Sequence, residues 1–128
     1  MHKIIIDPET KGEVTSLGDI ILIPPASSGL PQSNIVGHEI QHIQLGHVPA
    51  PYGESLMGET YNEAQAWKEA IRKMPKDEID LEFINSALGS YVLQVKNEYG
   101  TGSPQLKEAT RLRTQVRNLA RKKKGLIK

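Results

Sequence analysis

The sequence predicts a single α+β domain over residues 1–128, with a small N-terminal sheet of two or three strands followed by four helices. Isoleucine-rich segments lie near the N-terminus, and every segment with helical spacing comes after them. The sequence shows no internal repeat or linker that would divide the chain. A chain of 128 residues is long enough for one hydrophobic core and too short for two ordinary domains.

Two short strands are predicted at residues 3–7 and 19–24, because both segments are rich in isoleucine and are separated by proline and glycine. Residues 14–17 are a candidate for a third strand. Residues 24–33 are predicted to form a loop, since proline and glycine there interrupt both ladders and helices. Strands that precede helices favour an α+β arrangement over a βαβ one.

The first helix is predicted to begin at Ser33 or Asn34 as its cap and to end at Gly46, because apolar residues recur there every three or four positions. Pro75 is expected to stop the second helix, and the pair Ser103-Pro104 is expected to start the fourth. The remaining three helices are predicted over residues 60–74, 76–99 and about 104–124.

The net charge of +1 hides an uneven distribution, because residues 107–128 contain nine basic side chains and one acidic one. Such a basic end could contact nucleic acid non-specifically, bind a protein partner or dock on the acidic remainder of the chain. A solvated helix face is the more ordinary explanation. The absence of cysteine leaves histidine and carboxylate as metal ligands. The sequence contains no predicted membrane span and no secretory signal, so we expect a soluble, cytoplasmic protein without a membrane partner.

Residues 38–42 have the sequence HExxH, and this motif is the main functional signal. His38 and His42 are four positions apart, so a helix places both imidazoles on one face, with Cβ atoms about 5–6 Å apart. Glu39 lies on a neighbouring edge, where its carboxylate can reach a metal-bound water without becoming a ligand. The motif predicts a metallopeptidase site. Two solvent-facing histidines on an amphipathic helix are the alternative interpretation of the motif. The alternative function is a non-catalytic binding module, with a structural metal or none, whose basic C-terminal helix contacts nucleic acid or a protein partner.

A catalytic zinc site needs three protein ligands and an open fourth position. Glu63 is the preferred third ligand, because it lies 21 residues after His42 on the second predicted helix, which the intervening loop allows to fold back. Glu63 has a structural alternative, since residues 60–63 also fit a capping box with Thr60 as the cap. The other candidates are Glu54, Glu59, Glu69 and His47, of which His47 is out of register for a third histidine ligand.

The HExxH motif, followed on the next predicted helix by Asn62 and Glu63, resembles the gluzincins, the zinc peptidases of which thermolysin is the familiar member. The resemblance covers about residues 19–74. The short chain and the pair Glu63-Ala64 are also similar to the single-domain minimal gluzincins and to the ImmA/IrrE-type peptidases of mobile elements.

The resemblance implies a zincin-like fold and a Zn2+ ion bound by His38, His42 and Glu63. It also implies that Glu39 is the general base, which activates metal-bound water for hydrolysis of a peptide or protein substrate. In the gluzincins an edge strand beside the cleft pairs with the extended peptide, which leads us to expect this role for residues 19–24.

The sequence departs from the gluzincin pattern at Trp67, where those enzymes carry an aspartate that orients a ligand histidine. It also has no counterpart of their large second domain, so we expect a weak or latent enzyme. Tyr52, Tyr61 and His47 are the candidates for a donor that stabilises the transition state, on the grounds of their proximity in sequence to the motif.

Overall fold

The computed structural model describes residues 3–10, 12–14, 20–45 and 55–127, and it confirms the α+β fold class. The elements are β1 (Lys3–Ile6), β2 (Glu13–Val14), β3 (Ile20–Ile23), α1 (Gln32–Gln44), α2 (Leu56–Lys73), α3 (Leu81–Tyr99) and α4 (Pro104–Lys123). Short 3₁₀ turns at Ala26–Ser28 and Lys76–Glu78 precede α1 and α3. In the described part of the chain, no helix is long and apolar enough to cross a membrane.

The three strands form one sheet in the order β1-β3-β2. β1 is parallel to β3 and pairs with it from Lys3–Ile20 to Ile6–Ile23, whereas β2 is antiparallel to β3. Because β3 is the central strand, both of its edges are already paired. The expectation that residues 19–24 form an edge strand for a peptide is therefore wrong. β2, which lies at an edge of the sheet, contacts α1.

Two apolar clusters form the interior. The smaller cluster packs α1 on the sheet, with Ile35 against Ile21 and Ile23 of β3. The larger cluster lies between α2, α3 and α4 and includes the fully buried Ile71. Phe83 of α3 packs against both clusters, so α3 connects the helical layer to the layer of α1 and the sheet.

The second helix begins earlier than its apolar pattern predicts. Ser55 is the N-cap, and its hydroxyl accepts a hydrogen bond from the N–H of Gly58 at 3.0 Å. The expected first turn at residue 60 is therefore inside the helix. Sequence analysis missed this start because a glycine in the first turn is typical of a loop. The end of α2 before Pro75 is as predicted.

The sequence suggested Ser33 or Asn34 as the cap of α1, but the N-cap is Pro31. Asn34 instead connects the start of α1 to the start of α3. It is buried, and its amide nitrogen donates to the carbonyl of Glu78 at 2.6 Å. Its amide oxygen accepts from the N–H of Asp80 at 3.0 Å. The carboxylate of Asp80 in turn caps α3 by accepting from the N–H of Phe83. Because of this cap, the predicted helix at 76–99 is divided into a 3₁₀ turn and α3.

The larger cluster provides the first test of this fold. We expect Ile71→Ala to lower the free energy of unfolding by about 2–5 kcal/mol, because it removes buried methyl groups and leaves a cavity. Urea denaturation of the purified protein measures the change. Leu93→Ala is the control, since Leu93 on α3 is 57 % exposed and surface substitutions change stability by roughly 0.5 kcal/mol or less. Equal losses in the two variants would contradict the described packing.

Candidate metal centre

The HExxH residues lie on the buried side of α1. His38, Glu39 and His42 are each less than one-tenth exposed. The Nε2 atoms of the two histidines are 3.1 Å apart, and their rings are nearly perpendicular, with centroids separated by 4.5 Å. Both imidazoles therefore present the same nitrogen to one point, and the alternative of two solvent-facing histidines is wrong.

Glu63 of α2 lies at this point. Its Oε2 atom is 2.8 Å from Nε2 of His38, and its Oε1 atom is 3.0 Å from Nε2 of His42. The structure thus brings together the three residues predicted as ligands, on two helices that pack against each other. As a group, these side chains could hold a metal ion.

Glu63 is available for this contact because α2 starts at Leu56. Thr60 is on the second turn, and its hydroxyl donates to the carbonyl of Leu56 at 2.7 Å. It therefore does not cap the helix, and the capping-box interpretation of Glu63 is wrong. With Ser55 as the cap, the Glu63 carboxylate projects from the body of the helix toward α1.

Trp67, four residues after Glu63, supports His38 by ring stacking. The two rings are nearly parallel, with an interplanar angle of 7° and centroids 4.0 Å apart. The indole is almost fully buried, and its N–H has no hydrogen-bond partner among the described residues. At this position an aromatic stack therefore orients His38, a candidate ligand, whereas the gluzincin pattern would place a carboxylate there.

Charge also holds the cluster together. Burial lowers the pKa of His38, but hydrogen bonds to Glu39 and Glu63 outweigh burial and raise this pKa to about 9. Burial raises the pKa of the Glu63 carboxyl. The interactions with His38 and His42, mainly hydrogen bonds, together have the larger effect and lower this pKa to well below its ordinary value. The ionised carboxylate and the protonated imidazole attract each other, which offsets the cost of burying either charge alone.

Glu39 faces a cavity of about 420 Å³ whose lining also includes His38 and Glu63. Its Oε1 atom lies 3.5 Å from Nδ1 of His38, so the carboxylate is beside the cluster without joining the three converging atoms. Gly12, next to β2, has a φ of +118°, and a Cβ there would lie only 2.4 Å from a methyl group of Ile35. Glycine therefore allows this edge strand to approach the cavity closely.

Tyr91 of α3 is a cavity residue that sequence analysis missed. It lines the cavity together with Glu63. Burial, followed by the negative charges of Glu63 and Glu59, raises the pKa of Tyr91 above its ordinary value, so the phenol keeps its proton. The sequence offered only a weak signal, because a tyrosine within the apolar stripe of a helix equally fits simple packing.

The other candidates from the sequence do not join the cluster. Tyr61 is 46 % exposed and does not line the cavity. Glu59 is exposed, and Glu69 forms an ion pair with Arg72. The remaining candidates, His47, Tyr52 and Glu54, lie outside the described residues.

The basic C-terminal segment forms α4, which begins after Ser103 as predicted. The ammonium group of Lys123 donates to the carbonyls of Ile71 and Arg72 at the end of α2, both at 2.6 Å. Lys124 donates to two carbonyls of the segment that follows α2. No described residue of α4 lines the cavity, so α4 fastens the end of α2 and does not dock across the site.

Comparison with known proteins adds no family assignment to this geometry. No protein-family model matches the chain, and comparisons with curated proteins and with solved structures found no match. The cluster and the cavity beside it are therefore the features that indicate a function.

The cluster predicts metal binding that can be measured directly. After treatment with a chelator, we expect the protein to bind a single divalent ion per chain, such as zinc or cobalt. His38→Ala, His42→Ala and Glu63→Ala should each weaken binding by more than about 100-fold, since losing a group that only supports a ligand already costs roughly 10–100-fold. Trp67 is the sole tryptophan and stacks on His38, so its fluorescence can follow the titration.

Glu59→Ala is the matched control, because it removes an exposed glutamate one turn earlier on the same helix. We expect its metal affinity to equal that of the wild type. Unchanged affinity in the three ligand variants would contradict the site.

Proposed function

We propose that this protein is a zinc-dependent peptidase with a zincin-like site, in which His38, His42 and Glu63 are the ligands and Glu39 is the general base. The proposal rests on one observation: three donor atoms from α1 and α2 converge beside a carboxylate that faces a cavity. The resemblance of the motif to the gluzincins supports the same class of enzyme.

The geometry of the cluster suits zinc. In a tetrahedral site with metal–ligand distances of roughly 2.0–2.1 Å, neighbouring donor atoms are about 3.3 Å apart. The two Nε2 atoms are 3.1 Å apart, and each lies 2.8 or 3.0 Å from a different oxygen of the Glu63 carboxylate. Small outward shifts of the side chains would therefore admit the ion. Magnesium and calcium prefer shells made mainly of oxygen, which two imidazoles do not supply. Three protein ligands leave one position for water or substrate, as in catalytic zinc sites.

Each side chain of the site has a chemical role in peptide hydrolysis. Zinc, when bound, supplies a Lewis acid that acidifies water and polarises the substrate carbonyl. Glu39 accepts the proton of the attacking water and later passes it to the leaving amine. Its carboxylate suits this task because it lines the cavity but is not one of the converging donor atoms. Trp67 keeps the His38 ring in place by stacking on it.

The edge strand beside the site supports a peptide as the substrate. In the sheet order of the described strands, β2 lies at an edge, where it pairs with β3 on one side. It also contacts α1. An extended peptide that adds to such an edge is bound through main-chain hydrogen bonds, with little demand on its sequence. Gly12 next to β2 borders the cavity together with Glu39, so a peptide on this edge would pass the general base.

The variant Glu39→Gln tests this function. We expect the variant to bind zinc as the wild type does and to lose peptide cleavage by about 10²–10⁴-fold, because glutamine cannot accept the proton. Cleavage of fluorescently labelled, unfolded casein by the zinc-loaded protein provides the measurement.

The control is Glu59→Gln, which makes the same chemical change at an exposed position and should leave cleavage intact. Cleavage that survives in zinc-loaded Glu39→Gln would overturn the mechanism. A zinc-loaded wild type that does not cleave the casein at all would overturn the proposed activity.

A further inference from the structure

β1 lies at the edge of the sheet opposite β2, and it exposes apolar side chains. In the order β1-β3-β2, one side of β1 is paired among the described strands. Ile4 is 49 % exposed and Ile6 is 61 % exposed. An apolar edge strand is a template for pairing with another strand unless something covers it. The question is therefore which strand fits this edge.

The two exposed isoleucines continue the core-facing side of the sheet. The register pairs Ile4 with Ile21 of β3, and it pairs the next outward position in the same way, Ile6 with Ile23. Paired residues of neighbouring strands point to the same face, and both isoleucines of β3 are buried against α1. Because α1 packs on β3 and β2, the same apolar face is exposed where it reaches β1.

The outer edge of β1 also carries backbone hydrogen-bonding groups. The N–H of Asp7 donates to the carbonyl of Ile23 at 2.8 Å, so the backbone groups of Asp7 point toward β3. These directions alternate along a strand, so Ile5 also faces β3, whereas the N–H and C=O groups of Ile4 and Ile6 point away from it. β3 is the one described neighbour of β1, and these outward groups are therefore available to a further strand.

The edge is complementary to itself in an antiparallel pair. When two copies of β1 are centred on Ile5, Ile4 of one copy lies opposite Ile6 of the other. These are the residues with outward backbone groups, so each such pair exchanges both of its hydrogen bonds. The same register places Lys3 opposite Asp7 of the other copy, and opposite charges directly across two strands stabilise their pairing.

We propose that β1 is a self-association surface, on which a second copy of this chain pairs in antiparallel fashion and joins the two three-stranded sheets into one. The two-fold axis passes between the two Ile5 residues. Both β1 edges are used in this symmetric contact, so the assembly closes at a dimer. β2 stays at the outer edge of each copy. No described residue of β1 lines the cavity, so the dimer is independent of the zinc site proposed above.

Sedimentation equilibrium over a range of protein concentrations tests this surface. We expect the wild type to have the mass of a dimer at high concentration. Ile6→Lys should raise the dimer dissociation constant by roughly 100-fold or more, because symmetry removes two apolar side chains from the contact and brings in two charges. Leu93→Lys is the matched control, since Leu93 is 57 % exposed but lies on α3, and it should associate as the wild type does.

A single cysteine tests the register, because the sequence contains no other cysteine. In the proposed pair Ile5 lies opposite its counterpart at a non-hydrogen-bonded position, where Cα atoms are about 4.5 Å apart and a disulfide can form. Ile5→Cys should therefore give a disulfide-linked dimer on mild oxidation. In Ile4→Cys each cysteine lies diagonally from its counterpart, about 7–8 Å away, so we expect little crosslinking.

Circular dichroism should show the same helix content in every variant, which separates loss of association from loss of the fold. A wild type that is monomeric at all concentrations would overturn the proposal and leave the zinc site standing. A dimer that forms equally well in Ile6→Lys, or crosslinking that is as efficient in Ile4→Cys as in Ile5→Cys, would also overturn it, because the contact would then lie elsewhere or have another register.

Discussion

A largely buried carboxylate between two imidazole nitrogens is the interaction on which the site depends. The contacts of Glu63 with His38 and His42 are 3.0 Å or shorter, and they connect α1 to α2 in the interior. Such buried ion pairs are inefficient as structural devices, since well-packed apolar residues of similar volume are commonly as stable or more so. The stability of the helix pair therefore gives little reason for three polar side chains here, whereas two imidazoles and a carboxylate are donor types that zinc binds.

The position of Glu63 depends in turn on where α2 begins. With Ser55 as the cap, Glu63 is clear of the first turn and its carboxylate is available to α1. Local patterns in the sequence were sufficient for much of this arrangement: the four-residue spacing put His38 and His42 on one face, and the apolar stripe of α2 indicated a second helix. From the sequence alone, Glu63 could belong to a capping box or be a metal ligand on the second helix. The two roles cannot be distinguished until the position of the N-cap is known.

Contacts between distant segments could not be predicted in the same way. The stacking of Trp67 on His38 has no local sequence signature, because it depends on how one helix packs against another. Strand order has the same limit: isoleucine-rich segments predict strands, but the central place of β3 results from its pairing with both neighbours. Gly12 shows a partial signal, since a glycine between strands predicts a turn, while its close approach to Ile35 depends on the folded chain.

The basic segment of α4 stabilises the end of α2 through contacts within the protein. Carbonyl groups at the end of a helix carry partial negative charge, and cations stabilise them. Lys123 supplies such a cation to the last turn of α2, the helix that carries Glu63, and so helps to hold a candidate ligand in place from its far end. Other basic side chains of α4, including Lys107, Arg117 and Lys122, are exposed to solvent. No described residue of α4 lines the cavity, so the positive charge of this helix stabilises the end of α2 and is not added to the walls of the cavity.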